Sequence, residues 1–152
     1  TTGPDPDQWD SYPAERAAIF DAMRASGSSV VVLSGDIHAA IASELSPDPF
    51  GGTAEPVAVE FVTTSLTSQN LDDKMGWAPR TQSVAIEAEL LAGWPHMRMC
   101  DLDSHGYVVL DVTPERVVAE WWFVDTVLRR TSVERLGGAW QVEHGRPTLL
   151  AR

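Results

Sequence analysis

The stretch V30-V-V-L-S-G-D-I-H-A-A40 decides how the rest of the chain is read. Val30 to Leu33 is an unbroken apolar run with no polar alternation, the pattern of a strand buried on both faces. Gly35 ends it, and Asp36 and His38 follow in a loop. In extended or loop backbone, residues two apart point to the same side. Both heads are therefore expected to face one point beyond the strand's end, where open α/β sheets place their ligands. A carboxylate oxygen beside an imidazole nitrogen suits zinc, iron or manganese better than an all-oxygen calcium cage. The same triplet also fits a plainer arrangement, with Asp36 accepting turn N–H groups and His38 merely packed or exposed.

Working outward, Pro13–Ser26 reads as a helix. Pro13 suits the first position, Ile19, Phe20 and Met23 recur at helical spacing, and Gly27 supplies the stop. Residues 56–63 alternate, with Val57, Val59 and Phe61 on one face, and read as a second strand. The SPDPFGGTAEP segment before them is expected to be loop. A long polar stretch, TSLTSQNLDDKMGWAP, comes next, and loops of that size are commonly functional. Residues 81–91 read as a helix ending near Gly93. Three strand-like runs follow, at 97–102, 107–112 and 117–123, joined by the short connectors DSHG and TPER. Those lengths predict an antiparallel meander. From Asp125 onward a Gly137-Gly138 break interrupts any period. The fold class expected is α/β, one domain of helices against a mixed or largely antiparallel sheet.

Charge narrows the function. With 152 residues and a net charge of −11, the chain offers no Lys/Arg surface for nucleic acid or anionic membranes. A protein this acidic that handles phosphate needs positive charge from elsewhere, and a bound metal supplies it. No apolar run approaches the length of a membrane span. The start, TTGPDPDQWDSYP, shows neither the basic nor the apolar region of a signal peptide and resembles a segment cut at a loop. One cysteine, Cys100, excludes an internal disulfide and multi-thiolate zinc sites. Lying mid-strand without a basic neighbour, it reads as a packed core thiol. Trp121, Trp122 and Phe123 occupy successive strand positions and so face both sides of a sheet.

Three further histidines remain. His105 sits in DSHGY, where a turn residue bonding its own backbone is the plain reading. His96 follows Pro95 at an element's edge, near the Asp36/His38 end if the meander is regular. His144, in the weakly patterned tail, receives no role. The hydroxyls and amides of residues 63–70, TTSLTSQN, suit either phosphate contact or a solvated loop. No P-loop, G-x-S-x-G or H-E-x-x-H pattern is present.

The blocks DQWDSYPAER, VVVLSGDIHAA, PVAVEFVTTSLTS, HMRMCDLDSHGYVVLDVTPERV and EWWFVDTV, taken in order, resemble the C-terminal part of the PhoD-like alkaline phosphatase/phosphodiesterases, calcineurin-like metallophosphoesterases. The resemblance runs from about Asp7 to Val127. It implies an αββα sandwich of two sheets with a two-metal site between the sheet ends. Gly35-Asp36-Ile37-His38 matches the family's G-D-x-H form of the last metal-binding motif, where the wider superfamily reads G-H-x-H. The implied function is metal-dependent hydrolysis of phosphate mono- or diesters, with iron, calcium, manganese or zinc at the site and a phosphate ester as substrate. Asp36 and His38 would be the ligands and catalytic residues, with His96 and His105 lower-ranked neighbours. The family's earlier motifs, its first D-x-H, a second G-D block and G-N-H/D, are expected upstream of this segment; apart from the D-x-H triplets at 36–38 and 103–105, no such pattern occurs in residues 1–152. The whole chain is therefore expected to be the C-terminal portion of a longer enzyme, with little activity alone. The family also implies export to the cell envelope or beyond. Two other readings stay open: a non-catalytic binding or assembly domain that keeps the fold, and a metal-free hydrolase using Asp36 and His38 as acid and base.

Overall fold

A computed structural model describes residues 8–50 and 54–152. Helix α1 spans Pro13–Ser26, with Pro13 in its first turn and Gly27 closing it at φ 64°, as the sequence predicts. Strands β1 (Val31–Ser34), β2 (Ala40–Leu45) and β3 (Ala58–Val62) follow, then a short helix α2 (Leu71–Met75) and helix α3 (Gln82–Gly93). The remainder is β4 (Met97–Asp101), β5 (Gly106–Val112), β6 (Arg116–Val124), β7 (Glu134–Glu143) and β8 (Arg146–Ala151). Two four-stranded sheets result, ordered β1-β3-β2-β4 and β5-β6-β7-β8. Only β1 and β3 run parallel, so the first sheet is mixed and the second antiparallel.

The inner faces of both sheets build one core. Ala40, Ala42, Val59 and Phe61 of the first meet Ala119, Trp121, Phe123, Val142 and Leu149 of the second. Small alanines on β2 face the large aromatics of β6, which lets the layers approach and interdigitate. Trp121 is fully buried, stands edge-on to Phe61 at 5.6 Å, and donates its indole N–H to the Val62 carbonyl at 3.0 Å. Buried Glu44 on β2 adds a second tie. It accepts the Leu149 N–H of β8 at 2.8 Å and the Arg98 guanidinium at 2.8 Å.

Several expectations are corrected. The three runs from residue 97 onward are not a meander: β4 pairs with β2, and DSHG carries the chain across to the other sheet, where β5 begins. Gly106 permits that crossing, because a Cβ there would lie 2.1 Å from the Trp122 carbonyl oxygen. Among the described residues, strand β1 lies at the edge of its sheet with Leu33 59% exposed, rather than buried on both faces. The patternless tail is a hairpin, β7–β8. Strand β7 continues through Gly137 and Gly138 with a register shift that leaves Gly137 without a partner on β6, and the Phe123 ring and the Met99 sulfur fill the space their side chains would need. Trp121 and Phe123 are buried and Trp122 half-buried, as successive strand positions require.

Candidate metal and phosphoester site

Register brings the chemistry to one end of the sandwich. Ser34 pairs with Val62, so the parallel strands β1 and β3 end together, beside the start of β2 and the end of β4. The loop after β1 carries Asp36 and His38, and the loop after β3 carries Thr63 to Asn70. The position is the C-terminal edge expected for a ligand site in an α/β sheet.

Asp36 and His38 both adopt left-handed backbone, at φ 72° and φ 57°. The Ile37 N–H donates to the Gly35 carbonyl at 2.9 Å, closing a tight three-residue turn around Asp36. Left-handed backbone costs a residue with a Cβ about 1–2 kcal/mol, and such strain gathers at functional sites. The Asp36 carboxylate is exposed and without a partner among the described residues. His38 is half-buried, and its Nδ1 lies 2.7 Å from the Gln69 carbonyl. A carbonyl only accepts, so Nδ1 carries the proton and Nε2 presents its lone pair. That is the tautomer metal-binding histidines adopt, their other nitrogen held by a backbone carbonyl or carboxylate. One carboxylate and one oriented imidazole therefore stand ready, and their donor chemistry fits a metal. Among the described residues no group of three His, Cys, Asp or Glu side chains is placed to hold one.

His105 belongs to the same end but has both nitrogens engaged. Nε2 donates to the Asp73 carboxylate at 3.0 Å, and Nδ1 lies 3.1 Å from the Ser65 hydroxyl. His96 does not reach the site. Its carbonyl accepts the Glu44 N–H, which places it at the opposite end of β2, about 13 Å along the strand from Ala40. There its ring stacks on Trp94 and meets the edge of Phe50, and burial pushes its pKa down. Because β4 runs antiparallel to β2, with Asp101 beside Ala40 and Met97 beside Ser43, the residue that precedes β4 falls at the far end of β2 from the site.

The TTSLTSQN segment is anchored inward at Thr64 and Asn70, while residues 66–69 between them are exposed. Thr64 donates to the Ser104 carbonyl at 2.9 Å, and Asn70, fully buried, donates to the Asp103 carbonyl at 2.8 Å. Asn70 and Asp73 form a capping box at the start of α2. The N-x-x-D spacing of Asn70 and Asp73, not read as a helix start above, is the signal that could have revealed this corner. Its cost shows at Asp72, 4% exposed, whose pKa is raised from the ordinary 3.8 by burial and by the charge of Asp103. A carboxyl raised in the fold keeps its proton where the unfolded chain has lost it. The penalty is absent below 3.8 and complete above the folded value, so stability falls as pH rises between them. Asp72→Asn is expected to raise the urea midpoint at neutral pH, with the advantage narrowing on acidification. A gain independent of pH contradicts this origin.

Cys100 is buried, and its thiol is pushed up to about 12 by burial and then by the charges of Glu87 and Asp101. It is expected to react with a chromogenic disulfide reagent only on unfolding. Rapid reaction of the folded chain contradicts the assignment.

The sequence profile of the PhoD-like phosphatases matches residues 2–121. The chain belongs to the PhoD-like phosphatase family. It is 35% identical over 117 residues to alkaline phosphatase D of Bacillus subtilis (strain 168), covering 76% of this chain and 18% of that protein. A solved structure of PhoD superposes with a TM-score of 0.77 at 28% identity, covering 95% of this chain and 26% of that one. The PhoD likeness extends over 95% of the chain, whereas the family profile stops within β6. The chain thus spans about a fifth of the curated relative and a quarter of the solved one. Among the described residues no helix is long and apolar enough to cross a membrane.

Proposed function

We propose that this segment supplies the Gly35-Asp36-Ile37-His38 part of a two-metal site in an enzyme that hydrolyses phosphate mono- or diesters, and that residues 1–152 form the C-terminal portion of that phosphoesterase. The observation that carries the reading is an exposed Asp36 carboxylate with no partner among the described residues beside a His38 ring held through Nδ1 by Gln69, which leaves Nε2 to present its lone pair. His38 would hold metal through Nε2 and Asp36 through its carboxylate oxygens. The turn sets the backbone of both residues and the Gln69 carbonyl holds the His38 ring before binding, so less ordering is left to do there. When bound, the metals (iron, calcium, manganese or zinc) polarise the phosphoryl oxygens and activate the attacking water. Their charge also offsets the net −11 of the chain at an anionic substrate. The exported location expected of the family is part of the proposal.

Two donors make a weak site by themselves, so the isolated 152-residue chain is expected to hydrolyse a chromogenic phosphodiester at no more than a marginal rate. A full-length phosphatase carrying it should lose turnover to a chelator and regain it with added metal. Turnover that survives exhaustive chelation would favour Asp36 and His38 acting as a metal-free acid and base.

A further inference from the structure

We infer that Asp73 and Asn70 are positioning residues for His38, acting through the single peptide unit that joins Gln69 to Asn70. The inference rests on the metal-ligand reading of His38 given above. That peptide unit has two ends. Its carbonyl, on Gln69, accepts the His38 Nδ1–H at 2.7 Å, and its N–H, on Asn70, donates to Asp73 Oδ2 at 3.1 Å. In a trans peptide the C=O and N–H point in opposite directions, so fixing one aims the other.

Gln69 cannot hold this plane by itself, since it is exposed and lies in an irregular stretch outside any strand ladder. Asn70 can, because it is fully buried. Its Nδ2 donates to the Asp103 carbonyl at 2.8 Å and lies 3.4 Å from Thr64 Oγ1, while its Oδ1 lies 2.6 Å from the Ser65 hydroxyl. The Asp73 carboxylate is itself steadied by the His105 Nε2–H at 3.0 Å. The result is a continuous line: His105, Asp73, the 69–70 peptide, His38.

The line also carries electrostatic consequence. An N–H that donates to a carboxylate leaves its own carbonyl a stronger acceptor, because hydrogen bonds in series polarise one another. A stronger acceptor on Nδ1–H makes Nε2 a better donor to metal, the effect carboxylates exert when they bond a ligating histidine directly. Here a peptide unit is interposed. His105 thereby gains a role consistent with its place at the site end, although it has no free nitrogen for a metal.

The test reads the tautomer of His38 in the isolated chain by long-range ¹H–¹⁵N spectroscopy, at a pH where imidazoles are neutral. Wild type is expected to show a protonated Nδ1 and a lone pair on Nε2. Asp73→Ala, at an exposed position outside the core, should shift the ring nitrogens toward a mixture, and Asp73→Asn should recover part of the wild-type pattern. Asn70→Ala should act in the same direction. Glu44→Gln, which loosens the far end of the sheets, should leave the His38 pattern unchanged. In a full-length phosphatase, Asp73→Ala should weaken metal binding by about 10- to 100-fold. Wild-type ring shifts in both Asp73→Ala and Asn70→Ala would overturn the inference, as would a tautomer mixture in the wild type. The spectra need no metal, so a locked tautomer released by Asp73→Ala upholds the line even if Asp36 and His38 prove not to be ligands.

Discussion

Replacing His38 by Ala in a full-length phosphatase carrying this segment is expected to leave about 1% or less of its phosphoesterase activity, since even outer partners of metal ligands cost 10–100-fold. The fold should tolerate the change. His38 is half-buried, its side-chain hydrogen bond among the described residues goes to an exposed loop carbonyl, and it lies outside the core of the two sheets. Asp36 needs a more careful substitution, because Ala at φ 72° adds backbone strain to the loss of a ligand. Asn tolerates left-handed backbone better, so Asp36→Asn removes the charge with the turn kept. Both variants should unfold at nearly the wild-type urea midpoint while losing turnover. Loss of activity that tracked a lowered midpoint would point instead to collapse of the loop. Full activity in both variants would remove them from the site.

The largest stability effect is expected at Trp121. Its ring is fully buried at the meeting of the sheets, against Phe61, with the indole N–H on the last carbonyl of β3. Trp121→Ala opens a cavity between the layers and should cost about 3–5 kcal/mol of unfolding free energy. A domain of ordinary stability has about 5–15 kcal/mol in all, so the variant should be marginal. Trp121→Phe keeps the ring but abandons the Val62 carbonyl, and should lose clearly less. Urea unfolding with an unchanged slope measures both. A loss near 1 kcal/mol for the Ala variant would mean that the two sheets do not depend on this contact.

Much of the first sheet was legible because its signals are local. Val30–Leu33, the alternation at 57–61 and the capped helix 13–26 appear within a residue or two of their predicted positions. Strand β2 was not legible. Its sequence AIASEL is rich in residues that favour strands weakly, and its buried Ser43 and Glu44 make sense only against β4 and β8. The glycines of β7 look like a break until Phe123 and Met99 are seen to occupy their faces. Similar reasoning divides the site. Asp36 and His38 declare themselves by type and spacing, whereas the Gln69 carbonyl, which sets the tautomer, is a backbone group that no residue name advertises. His96 and His105 looked equivalent in sequence. Register separates them, carrying one to the far end of β2 and the other to the site's border.

Metal content measured by elemental analysis bears most directly on the central claim. The comparison is a full-length phosphatase carrying this segment against its Asp36→Asn/His38→Ala counterpart, each purified without added metal and dialysed. Substantially less bound metal per chain in the variant, with folding intact, is the predicted result. Equal metal content in the two proteins would contradict the assignment of Asp36 and His38 as ligands.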